Sequence, residues 1–300
     1  MTLIDVVDSL RLNATGLMAG MAAAAACSFL GVYVVLRRIV FVGAALAQVA
    51  GAGIALAFLI GPLLAGVAHR LMHVSGPLPH VGMALERLVR DPLAVSLLVT
   101  VLAAALLAKP AMGAAAARDA RIGMTYLAAS ALSLVFIVRS PKGLDDVREL
   151  LDGNIVAVLN GDLIQMVVVF ALVALTHAAF YRQILFVSFD PEMAATQGFR
   201  VRRWEQLFFA TLAVVISVAI SKAGLVAVFA YLVFPAATAL RLVRRMGAAF
   251  AVSVALGIVA TIAGYVVALL ADLPTSPPTI GVLCAFWLAA SVYRWRRPLE

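Results

Sequence analysis

Apolar positions in this chain gather in long blocks instead of alternating with polar ones. Windows between charged or Pro/Gly-rich breaks fall near 14–36, 40–68, 92–110, 121–139, 162–183, 204–222, 223–243, 247–271 and 277–295. Blocks of this kind approach the roughly 20 residues an α-helix needs to cross bilayer hydrocarbon. Lipid offers no water to spare backbone groups, so only self-satisfied structures such as helices can span it. The pattern predicts an all-α, polytopic membrane helical bundle of about nine transmembrane helices, forming one integral-membrane domain over 1–300. Only Ser221, Lys222, Ala223 and Gly224 separate the sixth and seventh blocks, so eight helices is the alternative count.

Polar positions orient the bundle. One set of connections holds Arg37 and Arg38, the 109–121 segment, the 182–203 segment, Arg241 to Arg245, and the C-terminal arginines. With Glu205 and Glu300 beside them, these carry fifteen of the 23 basic residues but five of the 15 acidic ones. Cytoplasmic segments collect Lys and Arg, so this set is expected inside. The C-terminus then lies inside and the N-terminus outside, with 184–203 a cytoplasmic loop and 69–91 an extracytoplasmic one. Lys222 is expected to snorkel to the outer headgroups.

Composition agrees, with 64% hydrophobic and 13% charged residues and a mean hydropathy of +1.07. Too few polar residues remain to coat a water-facing domain. The net charge of +8 is explained by block-end arginines, and no nucleic-acid partner is implied. Asp5, Asp8 and Arg11 precede the first block, the reverse of a secretory signal's positive flank, so that block is expected to stay in the protein. Cys27 and Cys284 lie far apart in apolar blocks and indicate no disulfide framework.

The most informative polar segment is Ser188 to Phe199. Asp190 suits an N-cap, Pro191 the first helical position, Glu192 the positive end of the dipole and Gly198 a left-handed stop. A helix this short is marginal alone, and its apolar residues Met193 and Ala194, with Phe199 just beyond, are expected to be exposed. They suit either a groove on a partner or the membrane surface. In the second block Gly43, Ala47 and Gly51 recur four apart, a spacing of small residues that lets helices approach closely and predicts a central helix. Gln48 is its one strongly polar side chain and needs a protein partner or a water-filled path. Pro235, in the seventh block, frees a backbone carbonyl, marking either a pathway lining or a packed kink. His69, His73 and His80 fall in or beside the outer loop as low-weight metal candidates, and His177 is expected to hydrogen-bond a neighbour. There is no Gly-x-x-x-x-Gly-Lys-Ser/Thr phosphate loop and no hydrolase constellation, so the chain is not expected to be an enzyme.

Several segments, in order, resemble the permease family of ATP-binding-cassette importers for zinc, manganese and iron: Val32 to Arg38 with Phe41-Val42-Gly43, Asp119 to Gly123, Gly153 to Val158, Ser188-Phe189-Asp190-Pro191-Glu192 with Ala194 and Gly198, Gly224-Leu225-Val226 through Pro235-Ala236-Ala237-Thr238-Ala239, and Asp272-Leu273-Pro274. The resemblance implies a permease homodimer in the bacterial plasma (inner) membrane. It would work with cytoplasmic ATP-binding subunits, where ATP and Mg reside, and with an extracytoplasmic solute-binding protein, and it would bind no cofactor itself. It assigns ATPase coupling to Asp190, Pro191, Glu192, Met193, Ala194 and Gly198, and the translocation path to Ala44, Gln48, Pro235 and Thr238. The chain departs from the family's acid and histidine in Gly-Asp-Ala-Leu-Ser-His, having Ala44 and Gln48 there. The alternative cargo is therefore a metal chelate or another small solute, and an ion-coupled secondary transporter is the more distant alternative.

Overall fold

The computed structural model describes residues 13–72, 91–108, 115–140 and 158–296. These form eleven helices: α1 (Ala14–Leu36), α2 (Val40–Met72), α3 (Pro92–Leu107), α4 (Ala115–Arg139), α5 (Asn160–Ala179), α6 (Tyr181–Phe189), α7 (Pro191–Thr196), α8 (Val201–Ala223), α9 (Leu225–Leu242), α10 (Met246–Ala271) and α11 (Ser276–Arg296). Among the described residues, eight helices are long and apolar enough to cross a membrane. The ninth apolar helix, α3, has 16 residues, about 24 Å at 1.5 Å per residue. The doubtful division between the sixth and seventh blocks is real: Gly224 takes φ 81°, a left-handed value that glycine adopts freely, and α9 restarts at once.

One expected span is corrected. The block at 162–183 is two helices, broken at Phe180 (φ −109°, ψ 24°). Asp162 instead lies in the first turn of α5, its carboxylate accepting from the Leu159 amide at 3.3 Å.

Packing divides the helices into two groups. α1 packs chiefly against α9 and α10, and α11 closes against α9 and α10; α2 packs against α3 and α4. α8 touches α3, α1 and α2, bridging the groups. Helix α2 is central, with 78% of its apolar window buried, while for α4 the share is 11%. Such an outward apolar surface is what a lipid solvent permits. Its small-residue stripe faces α9, with Gly43 against Leu232 and Gly51 against Leu225. The tightest crossing is Gly31 of α1 against the Leu232 carbonyl, where a Cβ would strike backbone. The carbonyl freed by Pro235 is that of Tyr231, and it accepts from the buried Ser28 hydroxyl of α1 at 3.4 Å.

A knot of rings joins α1, α5, α8 and α10: Tyr33 lies 5.2 Å from His177 and 4.9 Å from Phe250 between centroids. His177 meets the Thr211 hydroxyl at 2.9 Å. That hydroxyl's proton goes to the Phe208 carbonyl, so His177 Nε2 is the donor.

At one end of the bundle Thr15 bonds Asn160 at 3.1 Å and Ser276 bonds the Ala223 carbonyl at 3.3 Å. Lys222 is there too, paired with Asp162 at 2.9 Å. The opposite end holds α6, α7 and the α1–α2 turn, where Arg37 donates to the Ser188 hydroxyl at 2.8 Å and lies 4.2 Å over the Phe208 ring.

Candidate functional site

Two features draw together the residues singled out in the sequence. The first is a cleft of about 560 Å³ between α2, α4 and α9. Phe41 and Ala44 of α2 line it, with Asp119, Ile122 and Tyr126 of α4 and Phe229 of α9. Residues 119, 122, 123 and 126 recur at helical spacing and so share one face of α4. Gln48 follows Ala44 by one turn on α2 and is half-buried.

Of the four residues assigned to a path, Ala44 lines the cleft and Gln48 lies on its helix face. Pro235 and Thr238 do not line it. Both are buried within the packing of α9, where the Thr238 hydroxyl donates to the Phe234 carbonyl at 2.7 Å. The proline stays inside a continuous helix because α1 supplies the donor its missing N–H leaves wanting.

The second feature is α7. The Asp190 carboxylate accepts from the Met193 amide at 2.8 Å, and Pro191 occupies the first turn with Glu192. Gly198 takes φ 84°, and the Phe199 amide returns to the Ala194 carbonyl at 3.0 Å. Start and stop are thus both built from side chains and backbone named in the sequence. One expectation is corrected: Ala194 is fully buried, while Met193 is 52% exposed. A two-turn helix lying on α6 and α8 must turn one side inward, and the first of its two alanines takes it. Phe199 is held edge-on to Phe186 at 5.5 Å. Beside α7 a polar cleft is lined by Arg37, Arg38, Pro191 and Glu205.

Sequence reasoning missed Asp119 as a cleft residue and the Arg37 to Ser188 bond. The i, i+3, i+4, i+7 recurrence from Asp119 to Tyr126 was a usable signal for the first. Nothing local signals a contact spanning 151 residues. Among the described residues no group of three or more His, Cys, Asp or Glu could hold a metal ion. His73 and His80 lie outside the described residues, and of His69 only the backbone, within α2, is described. Residues 153–157 of the outer segment are also outside.

Comparison with known proteins fits this architecture. Over 172 residues the chain is 30% identical to the manganese transport system membrane protein MntC of Halalkalibacterium halodurans, covering 57% of this chain and 59% of that one. It is 32% identical over 146 residues to the manganese import system permease protein ScaB of Streptococcus gordonii, covering 49% and 52%. The chain thus spans a little over half the length of these curated relatives. The chelated iron transport system membrane protein YfeC of Yersinia pestis is 25% identical over 241 residues, 80% of this chain and 72% of that one. Among solved structures, PsaBC from Streptococcus pneumoniae in complex with Fab superimposes with a TM-score of 0.77 at 21% identity, covering 96% of this chain and 95% of the other. The sequence model of the ABC 3 transport family matches residues 10–294, and the chain, a multi-pass membrane protein, belongs to that family.

Proposed function

We propose that this chain is the membrane permease subunit of an ATP-driven importer that moves divalent metal ions, from among manganese, iron and zinc, into the cytoplasm by alternating access. The family match over residues 10–294 carries this reading, and relatives whose names specify manganese and iron transport support the cargo. The protein works as a homodimer in the bacterial plasma membrane. Cytoplasmic ATP-binding subunits grip α7, and an extracytoplasmic solute-binding protein delivers the cargo. The positive-inside bias supports an inward α6–α7 end and an outward Lys222–Asp162 end. Energy enters as a change in the balance between conformations, so no covalent chemistry is asked of this chain.

The half-exposed Met193 beside Glu192 is the contact surface. Replacing both (Glu192→Arg with Met193→Asp) abolishes stimulation of the partner ATPase while membrane insertion is retained. ATPase stimulation at the wild-type level would reject α7 as the coupling element. A second reading, import of a metal chelate, draws on the chelated-iron relative and on the uncharged Phe41 and Ala44 face that α2 gives the cleft. Uptake by the reconstituted complex, with zinc, manganese and iron offered together and with or without chelator, separates the two.

A further inference from the structure

Helix α7 rests on α6 before it and on α8 after it. One side chain ties both supports to a third element. Arg37 is the C-cap residue of α1 and is half-buried at the α1–α2 turn; its Nε–H donates to the Ser188 hydroxyl of α6 at 2.8 Å. Ser188 is buried and stands two residues before the Asp190 cap of α7. Its own proton goes to the Ile184 carbonyl, which leaves its lone pairs for the guanidinium. The same guanidinium lies over the ring of the fully buried Phe208 of α8, 4.2 Å from the centroid.

The chemistry of this contact is particular to arginine. A planar fork can donate in its plane while its face stacks on a ring, whereas a lysine ammonium is a point charge that does one or the other. The far side of the contact is stiff. Arg38 follows in the left-handed conformation, the Ile39 amide is bonded back to the Val34 carbonyl, and α2 begins at Val40. Phe41 and Ala44, within the first turns of α2, line the cleft. Phe208 meets Tyr33 and His177 at 6.0 and 6.3 Å between centroids, inside the knot of rings. Movement of α6 and α7 together must therefore either carry the α1–α2 turn along or break a charge-assisted hydrogen bond, one of the stronger kinds.

We propose that Arg37 is the positioning residue that transmits displacement of α7 to the α1–α2 turn, and through it to the α2 wall of the cleft. The proposal rests on the import reading, in which ATP-binding subunits grip α7, and adds the route by which their movement enters the bundle. Arg37 acts through the helices it holds, not on cargo or nucleotide. Charge alone is not the working feature: a lysine at position 37 keeps the inner-end charge that fixes orientation and loses the two-way grip. A brace that only held the fold would show in the amount of complex recovered, not in the metal moved per ATP.

The test uses the whole complex of permease, ATP-binding subunits and solute-binding protein in proteoliposomes. Manganese, iron and zinc ions are offered together, and metal uptake and ATP hydrolysis are measured on the same sample. In Arg37→Lys and in Ser188→Ala the ATP-binding subunits co-purify as in the wild type and basal hydrolysis is kept, while metal moved per ATP falls roughly ten-fold, within the usual range of coupling between two sites. The double variant is no worse than the poorer single one, as expected for the two ends of one contact. Wild-type metal per ATP in both single variants, or losses that multiply in the double variant, would overturn the proposal. So would loss of the ATP-binding subunits from both purified variants, which makes the contact a brace and nothing more. A wild-type complex that hydrolyses ATP and moves no metal overturns the import reading itself, and needs no variant to reveal it.

Discussion

Arg38 shows how much one residue can set in this molecule. α1 ends in a turn in which the Ile39 amide reaches back to the Val34 carbonyl and the Arg38 amide to that of Val35, both at 3.1 Å. This closing pattern calls for a left-handed residue, normally glycine, yet Arg38 fills it at φ 55°. A left-handed conformation costs a side-chain-bearing residue about 1 kcal/mol or more, so Arg38→Gly should stabilise the folded permease by about that much, read as a raised melting temperature in detergent. The exposed guanidinium gives the position a reason to remain charged, at the end where basic residues collect. Partners remote in sequence were beyond reading at this scale. Lys222 finds Asp162 sixty residues away, and Ser28 finds the carbonyl that Pro235 liberates. The chain announces each unmet need, a charge or a missing donor, but three-dimensional proximity decides what meets it.

Helices were legible where local chemistry closes them. α7 could be bounded from Asp190, Pro191 and Gly198 because caps and stops act over three or four residues. Its N-cap gives a direct prediction: Asp190→Ala removes the carboxylate that binds the Met193 amide and costs about 1 kcal/mol. With so little helix to lose, ATPase stimulation should fall well before insertion does, measured as hydrolysis by the complex against the amount of permease in the membrane. The inward turn of Ala194 was not legible, because six residues carry too short a period to say which side a neighbour covers. The break at Phe180 was hidden for a related reason: an apolar run reads the same whether the helix within it is straight or interrupted. The central place of α2 was foreseeable from its small residues, while the partner they face, α9, was not.

At the scale of the whole molecule, the two packing groups meet along α2 and α9, and the cleft holding Asp119 opens beside that seam. In the proposed cycle, opening and closing the cleft means moving one group relative to the other. A short bismaleimide joining Ala44→Cys to Phe229→Cys, on opposite walls, should therefore stop metal uptake, while each single variant treated alike keeps transporting; uptake by the linked protein at the rate of the single variants would place the motion elsewhere. The seam's surface bears on how easily it moves. Helices that interlock by ridges in grooves must climb over one another to shift, but Gly43, Ala47 and Gly51 leave α2 with no ridge there, and α9 meets it with the tips of Leu225 and Leu232. In the proposed cycle such a joint acts as a plain bearing, where two leucine tips ride a bare rail and the resistance to sliding comes from α8, which packs on both groups.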